Sequence, residues 1–178
     1  MKPVEPQYVK LIIGFLYHEL SAFQQAEELT REIWGSVDYH SKEYFFDKTT
    51  YYDSEMGMPL FRSFKSYKEL INPAKLAEIK ILTNEIEDKL THGGKRRVNL
   101  DPGYIDYDKL VLASAKYNYQ KIYLGQGIYA DPTLFYRKGR FHAPEWAFPD
   151  FKSELYEGDF LHIRFNYKKQ LNELRAQL

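Results

Sequence analysis

An almost unbroken apolar run near the start of the chain constrains the fold more than any other feature. Lys10 to Tyr17 is short, is dominated by residues that favour strands, and carries its only charge at its first position. Such a run predicts a strand that is buried on both faces of a sheet. Its apolar part, residues 11–17, is far shorter than the roughly 18 residues that a membrane helix needs. We therefore expect a central strand in a protein without membrane spans.

The composition excludes several classes of protein. With 178 residues the chain has the length of one domain, so we expect a single domain over residues 1–178. The absence of cysteine excludes a disulfide scaffold, a thiolate zinc site, an iron–sulfur cluster and a cysteine nucleophile. An apolar share of 44% excludes a disordered protein. No basic stretch followed by an apolar segment opens the chain, so we expect it to be cytoplasmic.

Apolar spacing and cap residues predict the elements around the first strand. Ser21 is the predicted N-cap of one helix, and Gly35 is placed to end it. Asn72 is the predicted N-cap of a second helix, which ends before Gly93. Residues 37–46 and 60–67 are predicted strands, residues 47–59 a loop, and residues 156–174 a C-terminal helix.

The stretch from residue 97 to residue 142 consists of short predicted elements. Asp101-Pro102-Gly103 has the residues of a turn, which we expect to end a strand at 97–100. Asp106 is predicted to cap a short helix that runs through Lys116. The remaining predicted strands, separated by glycine-containing turns, are 121–124, 127–137 and 140–142.

The order of these elements predicts the fold class. Strand, helix, strand, strand, helix and strand follow one another, which is the order of the ferredoxin-like split βαβ fold. We therefore predict an α+β single-domain sandwich with a ferredoxin-like βαββαβ core, extended by a β-hairpin and a C-terminal helix. The strand at 10–17 should be central, and the helices after Ser21 and Asn72 should lie on one face of the sheet.

Positive charge is concentrated in one part of the chain. The 25 basic and 25 acidic residues balance overall, but residues 92–142 contain nine basic and four acidic ones. Such a local surplus of positive charge is typical of a protein that binds an anion. The same residues could equally serve only to solvate strand edges and turns.

The densest run of chemically capable residues is 93–104. Arg96 and Arg97 offer planar donors that match phosphate or carboxylate groups. Asn99 and Asp101 alternate with apolar residues, so we expect them to share a strand face. In a purely structural alternative, the run is a helix end, a short strand and a turn in which the Asp101 carboxylate binds backbone N–H groups. The glycines and lysine before Arg96 lack the other residues of a phosphate loop.

A second polar set follows the glycines at 125 and 127. Alternation predicts one strand face with Ile128, Ala130, Leu134 and Tyr136, and the other with Tyr129, Asp131, Thr133 and Arg137. The polar face could form the floor of a ligand site. It could equally be the solvated side of an edge strand, which Pro132 favours.

These observations lead to one predicted binding site. A small anionic ligand, such as a nucleotide or a phosphorylated metabolite, would bind in a basic cleft on which eight side chains converge. They are Arg96, Arg97, Asn99, Asp101, Lys116, Tyr129, Asp131 and Arg137.

Asp101 is the candidate catalytic residue, because other groups are missing. The chain has no cysteine and no Gly-x-Ser-x-Gly motif, and its five histidines are scattered, so a carboxylate is the remaining candidate. No metal site is predicted. Asp47, Asp53 and Glu55 could ligate a hard cation, but their spacing is not that of a calcium loop, and their loop could instead be a lid. Whether the protein is an enzyme stays open, and no cofactor is indicated.

Several motifs resemble those of a known prokaryotic family. They are Val9-Lys10-Leu11 with the strand that follows, Asp53-x-Glu55-Met56-Gly57, Arg96-Arg97-Val98-Asn99-Leu100-Asp101-Pro102-Gly103-Tyr104, Lys109-Leu110-Val111-Leu112-Ala113 and Ile122-Tyr123-Leu124-Gly125-x-Gly127-Ile128-Tyr129-Ala130. On these residues the chain is similar, over essentially its whole length, to the prokaryotic "domain of unknown function 4416" family. The resemblance implies a compact prokaryotic protein and no particular reaction.

Three classes of function are compatible with the sequence. The first is binding of a small anionic ligand in the basic cleft. The second is an RNA-binding module that uses the basic segment 92–142, although the aromatic motifs of ribonucleoprotein domains are absent. The third is a structural or interaction protein without a ligand. The sequence does not indicate an oligomeric state.

Overall fold

One antiparallel sheet of nine strands carries helices on both faces in the computed structural model, which describes residues 1–48 and 52–176. The strands are β1 (Val9–Tyr17), β2 (Val37–His40), β3 (Tyr44–Phe46), β4 (Leu60–Ile71), β5 (Val98–Ile105), β6 (Lys109–Ser114), β7 (Ile122–Gly125), β8 (Ile128–Arg137) and β9 (Arg140–His142). The helices are α1 (Leu20–Trp34), α2 (Asp53–Met56), α3 (Leu76–Leu90), α4 (Pro149–Lys152) and α5 (Glu157–Ala176), and a 3₁₀ turn (Pro73–Lys75) precedes α3. This is an α+β fold, as predicted.

Strand β1 lies inside the sheet, as its apolar sequence predicts. All nine of its residues are buried, and it pairs antiparallel with β4 on one side and with β5 on the other. The strand order is β2-β4-β1-β5-β6-β8-β7, with β3 paired to β4 and β9 paired to β8. Strand β4 therefore lies between β1 and β2 and is antiparallel to both. The ferredoxin-like core stays a prediction.

The two faces of β1 pack against different helices, because successive side chains of a strand point to opposite faces. Leu11 belongs to a buried cluster with Ala26 of α1 and Ile79 of α3. Ile12 belongs to another cluster, with Phe160 of α5. The prediction that the first two long helices share one face is confirmed, and α5 covers the opposite face. No helix within residues 1–48 and 52–176 is long and apolar enough to cross a membrane.

The short helix predicted for 106–116 is wrong, since this stretch forms β6. Leu110 and Val111 are buried, and the strand pairs with β5 on one side and β8 on the other. Asp106 does accept backbone hydrogen bonds, from Asp108 N at 2.8 Å and Lys109 N at 2.9 Å. It thereby stabilises the tight turn of the β5–β6 hairpin, a role for which aspartate is as well suited as for capping a helix.

The turn predicted at Asp101-Pro102-Gly103 is also wrong, because all three residues lie within β5. Opposite β6, the ladder begins only at the Gly103–Leu112 pair, so the ring nitrogen of Pro102 interrupts no existing hydrogen bond. Gly103 is needed for a close approach: a Cβ atom there would lie 2.3 Å from the Val111 carbonyl oxygen. Strands β5 and β6 are thus tightly joined at Gly103. From Pro102 back toward the start of β5, the two strands separate.

Smaller boundaries also differ from the predictions. Ser21 lies inside α1, which begins at Leu20 without a side-chain cap, and residues 41–43 separate β2 from β3. The predicted loop 47–59 contains α2, and its residues 49–51 lie outside the described part of the chain. Asn72 caps the 3₁₀ turn that leads into α3, accepting from Ala74 N at 2.9 Å, and α3 itself begins three residues later than predicted.

A bulge in β8 overturns its predicted alternation. Leu110 pairs with Leu134 but Val111 pairs with Pro132, so one extra residue is inserted in β8. As a result, Ile128 packs in the cluster that contains α3 residues, whereas Leu134 packs in the cluster that contains α5 residues. The expected common face of these two side chains does not exist.

Candidate functional site

The point at which β5 and β6 separate opens into a cavity of about 570 Å³. We call it the fork cavity. Its walls come from the first half of β5, the end of β6 with the residues after it, α3, and the segment that begins α4. The polar lining residues on which the site depends are Arg62, Lys80, Glu87, Arg96, Asn99, Asp101, Lys116, Lys121, Asp131 and Asp150.

Helix α3 satisfies the backbone groups that the separation of the strands leaves unpaired. Lys80 Nζ donates to the Leu100 carbonyl oxygen at 2.7 Å, and the Leu100 N–H donates to Glu87 Oε1 at 2.7 Å. Both side chains are buried, and Lys80 Nζ lies 3.9 Å from Glu87 Oε1. Because buried backbone groups need partners, this pair makes an open fork possible inside the protein.

Arg62 reaches the fork cavity from β4 across the central strand. Its Nη1 donates to Asp101 Oδ2 at 3.0 Å, and its Nε lies 3.7 Å from Asp150 Oδ2. Gly14 of β1 lies between strands β4 and β5, where it is paired with Phe64 on one side and Asp101 on the other. A Cβ atom at position 14 would lie 3.4 Å from Arg62 Nη1 and 3.1 Å from the Phe64 ring. A side chain at Gly14 would therefore crowd the Phe64 ring and lie in contact with the guanidinium group.

Arg96 extends this network along the cavity wall. Its Nη1 donates to Glu87 Oε2 at 3.1 Å and to Asn99 Oδ1 at 2.9 Å, and its Nη2 donates to Glu55 Oε2 at 2.8 Å. Asn99 in turn donates from Nδ2 to Asp101 Oδ1 at 3.0 Å. Two guanidinium groups are thus held in place by one continuous set of hydrogen bonds.

Asp101 and Asp150 share Arg62 but differ in proton affinity. Burial raises the pKa of Asp101, yet the charges of Arg62 and Lys80 outweigh burial, so that the pKa is lowered overall. Burial also raises the pKa of Asp150, and here Arg62 offsets the effect only in part. Asp101 is therefore held as a carboxylate that orients Arg62 and Asn99, while Asp150 takes up a proton more readily.

Glu87 is a second carboxylate whose pKa is raised. Burial is the cause, and Lys80, the Leu100 N–H and Arg96 lower the pKa only in part. The charged form of this side chain is thus stabilised by three donors but penalised by its loss of solvent.

Two lysines line the cavity in the segment that comes after β6 in the chain. Lys121 Nζ donates to Ser114 Oγ at 2.8 Å and to the Lys116 carbonyl oxygen at 3.1 Å, and lies 3.5 Å from Asp131 Oδ2. Only 7% of the Lys121 side chain is exposed, so its charge is shielded from bulk solvent. Lys116 lies on the same wall.

Two cationic side chains retain donors without an acceptor. Within residues 1–48 and 52–176, neither Arg62 Nε nor Arg96 Nε has a hydrogen-bond partner, and both atoms are shielded from solvent. A buried donor without an acceptor costs about 1–3 kcal/mol.

Five of the eight predicted site residues line the fork cavity, and three do not. The five are Arg96, Asn99, Asp101, Lys116 and Asp131. Arg97 follows Arg96 directly and donates instead to Glu19 Oε2 at 2.5 Å. Tyr129 packs against the rings of Tyr117 and Tyr123, and Arg137 is exposed at the β8–β9 hairpin. These three side chains therefore do not join the other five at the cavity, contrary to the prediction from the sequence.

Five of the ten polar lining residues did not emerge from the sequence as site residues. They are Arg62, Lys80, Glu87, Lys121 and Asp150. A signal existed only in α3. Lys80 and Glu87 each come directly after an isoleucine of the buried stripe, and they are seven residues apart, which places them on one helix face. Nothing local distinguishes Arg62 or Asp150. Of the residues considered for a cation, Glu55 instead pairs with Arg96, and no group of three metal-ligating side chains occurs in the described part of the chain.

Comparison with known proteins adds a family. A family model described as "Domain of unknown function (DUF4416)" matches residues 7–167, a range that includes every residue that lines the fork cavity. No curated protein and no solved structure matches the chain.

Proposed function

This chain belongs to the DUF4416 family, and we propose that its fork cavity binds a small anionic ligand that carries a phosphate group, such as a nucleotide or a phosphorylated metabolite. One observation carries the proposal. The side chains of Arg62, Arg96 and Lys121 converge, largely shielded from solvent, on one cavity whose volume falls in the range of about 300–1,000 Å³ typical of ligand sites.

The charge balance of the lining supports an anion. The cationic lining residues are Lys48, Arg62, Lys80, Arg96, Lys116 and Lys121, and the anionic ones are Glu87, Asp101, Asp131 and Asp150. The cations outnumber the carboxylates, and burial raises the pKa of two of the carboxylates, Glu87 and Asp150. Shielding from water strengthens the attraction between such cations and a phosphate.

The placement of the cations favours a compact ligand over RNA. Only 5% of the Arg62 side chain and 7% of the Lys121 side chain are exposed. A polynucleotide backbone requires cations displayed along an open surface, whereas these face a cavity. A cavity with this many charged groups also argues against a purely structural protein. A catalytic role for Asp101 and a cytoplasmic location stay predictions.

Calorimetric titration with inorganic phosphate, a pentose phosphate and nucleoside monophosphates tests the proposal. We expect at least one of them to bind, and the Arg96→Gln variant to bind it at least tenfold more weakly, a loss of about 1.4 kcal/mol. Arg97→Gln is the matched control, because Arg97 lies next in the chain but outside the cavity. Equal affinities in the two variants, or no binding of any of these anions to the wild type, would contradict the proposal.

A further inference from the structure

Exposed aromatic rings cluster on two segments next to the fork cavity. Their exposed fractions are 71% for Tyr117, 71% for Tyr119, 37% for Trp146 and 58% for Phe148. Large rings exposed singly are ordinary, but a group of them on neighbouring segments is typical of a binding surface. We call these four side chains the aromatic rim.

The rim adjoins the cationic part of the cavity. Phe148 itself lines the cavity while more than half of it is exposed, so it lies where cavity meets solvent. Lys116, which precedes Tyr117, also lines the cavity. The rings of Tyr119 and Trp146 lie with their centroids 6.4 Å apart, which joins the two segments across the rim.

The ring of Trp146 is held in a defined position. Its Nε1 donates to the Pro132 carbonyl oxygen at 3.0 Å, and Tyr119 meets it edge to face, at an angle of 81° between the ring planes. A rigid aromatic ring that is partly exposed can accept a flat partner with little loss of conformational entropy.

We propose that the aromatic rim stacks the base of a nucleoside monophosphate whose phosphate is held by Arg62 and Arg96 in the fork cavity. This inference rests on the proposed function and names the class of ligand for that site. Aromatic side chains stack on nucleobases of any sequence, and guanidinium groups bind phosphate with paired donors. A pentose phosphate or inorganic phosphate would leave the rim unused.

A mononucleotide fits the observations better than a polynucleotide. The guanidinium groups of Arg62 and Arg96 belong to a single cavity, so they offer one phosphate site rather than a row of them. Arg137, which could have extended a basic surface, lies apart from the cavity lining. The rim and the cavity together provide one place for a base and one for a phosphate.

Tryptophan fluorescence gives a direct readout of stacking. The chain has two tryptophans, so a Trp34→Phe variant leaves Trp146 as the single reporter. We expect at least one of the four ribonucleoside monophosphates to quench the fluorescence of Trp146. The same nucleotide should bind at least tenfold more tightly than a pentose phosphate. Inorganic phosphate should bind without quenching.

Variants of the rim separate base recognition from phosphate binding. In calorimetric titrations, Trp146→Leu and Phe148→Leu should each lose most of the preference for the nucleotide while keeping the affinity for the pentose phosphate. Phe165→Leu is the matched control, because Phe165 is 65% exposed on α5 and does not line the cavity. Unchanged melting temperatures should accompany all three changes.

The possible results distinguish failure of the inference from failure of the proposed function. If a pentose phosphate binds as tightly as every nucleotide and the rim variants change nothing, the inference is overturned and the anion site stands. Tighter binding of single-stranded RNA than of any mononucleotide, weakening steeply with salt, would also overturn the inference in favour of a polynucleotide surface. If none of the three kinds of anion binds, the proposed function itself is wrong.

Discussion

Single side chains at the fork determine how charge is distributed in the cavity. Arg62 contacts two aspartates, and the contact with Asp101 is the closer one, at 3.0 Å from Nη1 to Oδ2. Asp101 also accepts a hydrogen bond from Asn99, whereas Asp150 is almost completely buried near Tyr156. One arginine thus serves a carboxylate that stays charged and another whose proton affinity is raised, which is the arrangement from which acid and base groups are made in enzymes.

The two aspartates should give stability profiles of opposite slope. Because the pKa of Asp101 is lowered in the folded state, its contribution is present above its unfolded pKa of about 3.9 and is lost as the pH falls. Because the pKa of Asp150 is raised, its contribution is present below that pKa and is lost as the pH rises through the folded value. Urea unfolding at a series of pH values measures both.

The expected readout is the free energy of unfolding of the wild type minus that of each variant. This difference should increase with pH for Asp101→Asn and decrease with pH for Asp150→Asn. Each substitution keeps the volume of the side chain and removes its titration. Slopes of the same sign would show that Arg62 does not separate the two carboxylates.

At the scale of elements, the fork exists because α3 replaces a strand. Beyond Gly103 toward the start of β5, no β6 residue pairs with the strand, and side chains of α3 take over the Leu100 backbone groups. Pro102 fits at this place because it has no N–H to leave unpaired. The sequence Asp101-Pro102-Gly103 therefore marks the end of a ladder inside a sheet rather than a turn.

Glu87 should be essential to the stability of the fork. Glu87→Leu leaves the Leu100 N–H without its acceptor and leaves Lys80 and Arg96 without this counter-charge, so we expect a loss of about 3–5 kcal/mol in the free energy of unfolding. Glu87→Gln keeps an acceptor and should lose less, about 1–3 kcal/mol. Urea unfolding measures both losses.

A neighbouring glutamate provides the control for this prediction. Glu85 lies on the exposed face of α3, so Glu85→Leu should change the free energy of unfolding by no more than about 0.5 kcal/mol. If Glu87→Leu were as stable as Glu85→Leu, the Leu100 N–H would not depend on Glu87.

The elements that could be predicted are those whose information is local. Strand β1 has its own apolar run, and its prediction holds; Asn72 bonds within its own turn and is a cap as predicted, though of the 3₁₀ turn before α3. Asp106 failed as a helix cap because aspartate serves helix starts and tight turns alike, and only the pairing of β6 with two neighbours decides between them. Long-range pairing is not visible in a short window of sequence.

The site follows the same rule. Arg96, Asn99 and Asp101 are close in sequence and were found together, since a strand places alternate residues on one face. Arg62 reaches the cavity from β4 across β1, and Asp150 reaches it because α4 packs on the sheet, so neither contact is visible in a short window of sequence. The bulge in β8 separated residues that strict alternation would have kept together.

Across the whole molecule, the fold neutralises part of the basic segment that stands out in the sequence. Three of its four arginines pair with carboxylates from outside it: Arg96 with Glu55, Arg97 with Glu19, and Arg140 with Glu154 and Glu157. The charge asymmetry along the chain therefore becomes a set of contacts between its parts. Around the fork cavity a surplus remains even so, because six cationic side chains and four carboxylates line it.

This neutralisation predicts weak binding to a polyanion. A surface that contacts six to ten phosphates loses roughly a thousandfold or more in affinity between low and moderate salt, and such a surface needs unpaired cations. Because Arg97 and Arg140 are paired with carboxylates, we expect the protein to elute from a heparin column at low salt. A variant that combines Glu19→Gln, Glu154→Gln and Glu157→Gln should elute at clearly higher salt, because Arg97 and Arg140 lose their partners. Strong retention of the wild type, unchanged in this variant, would mean that the basic segment acts as an open polyanion surface despite its ion pairs.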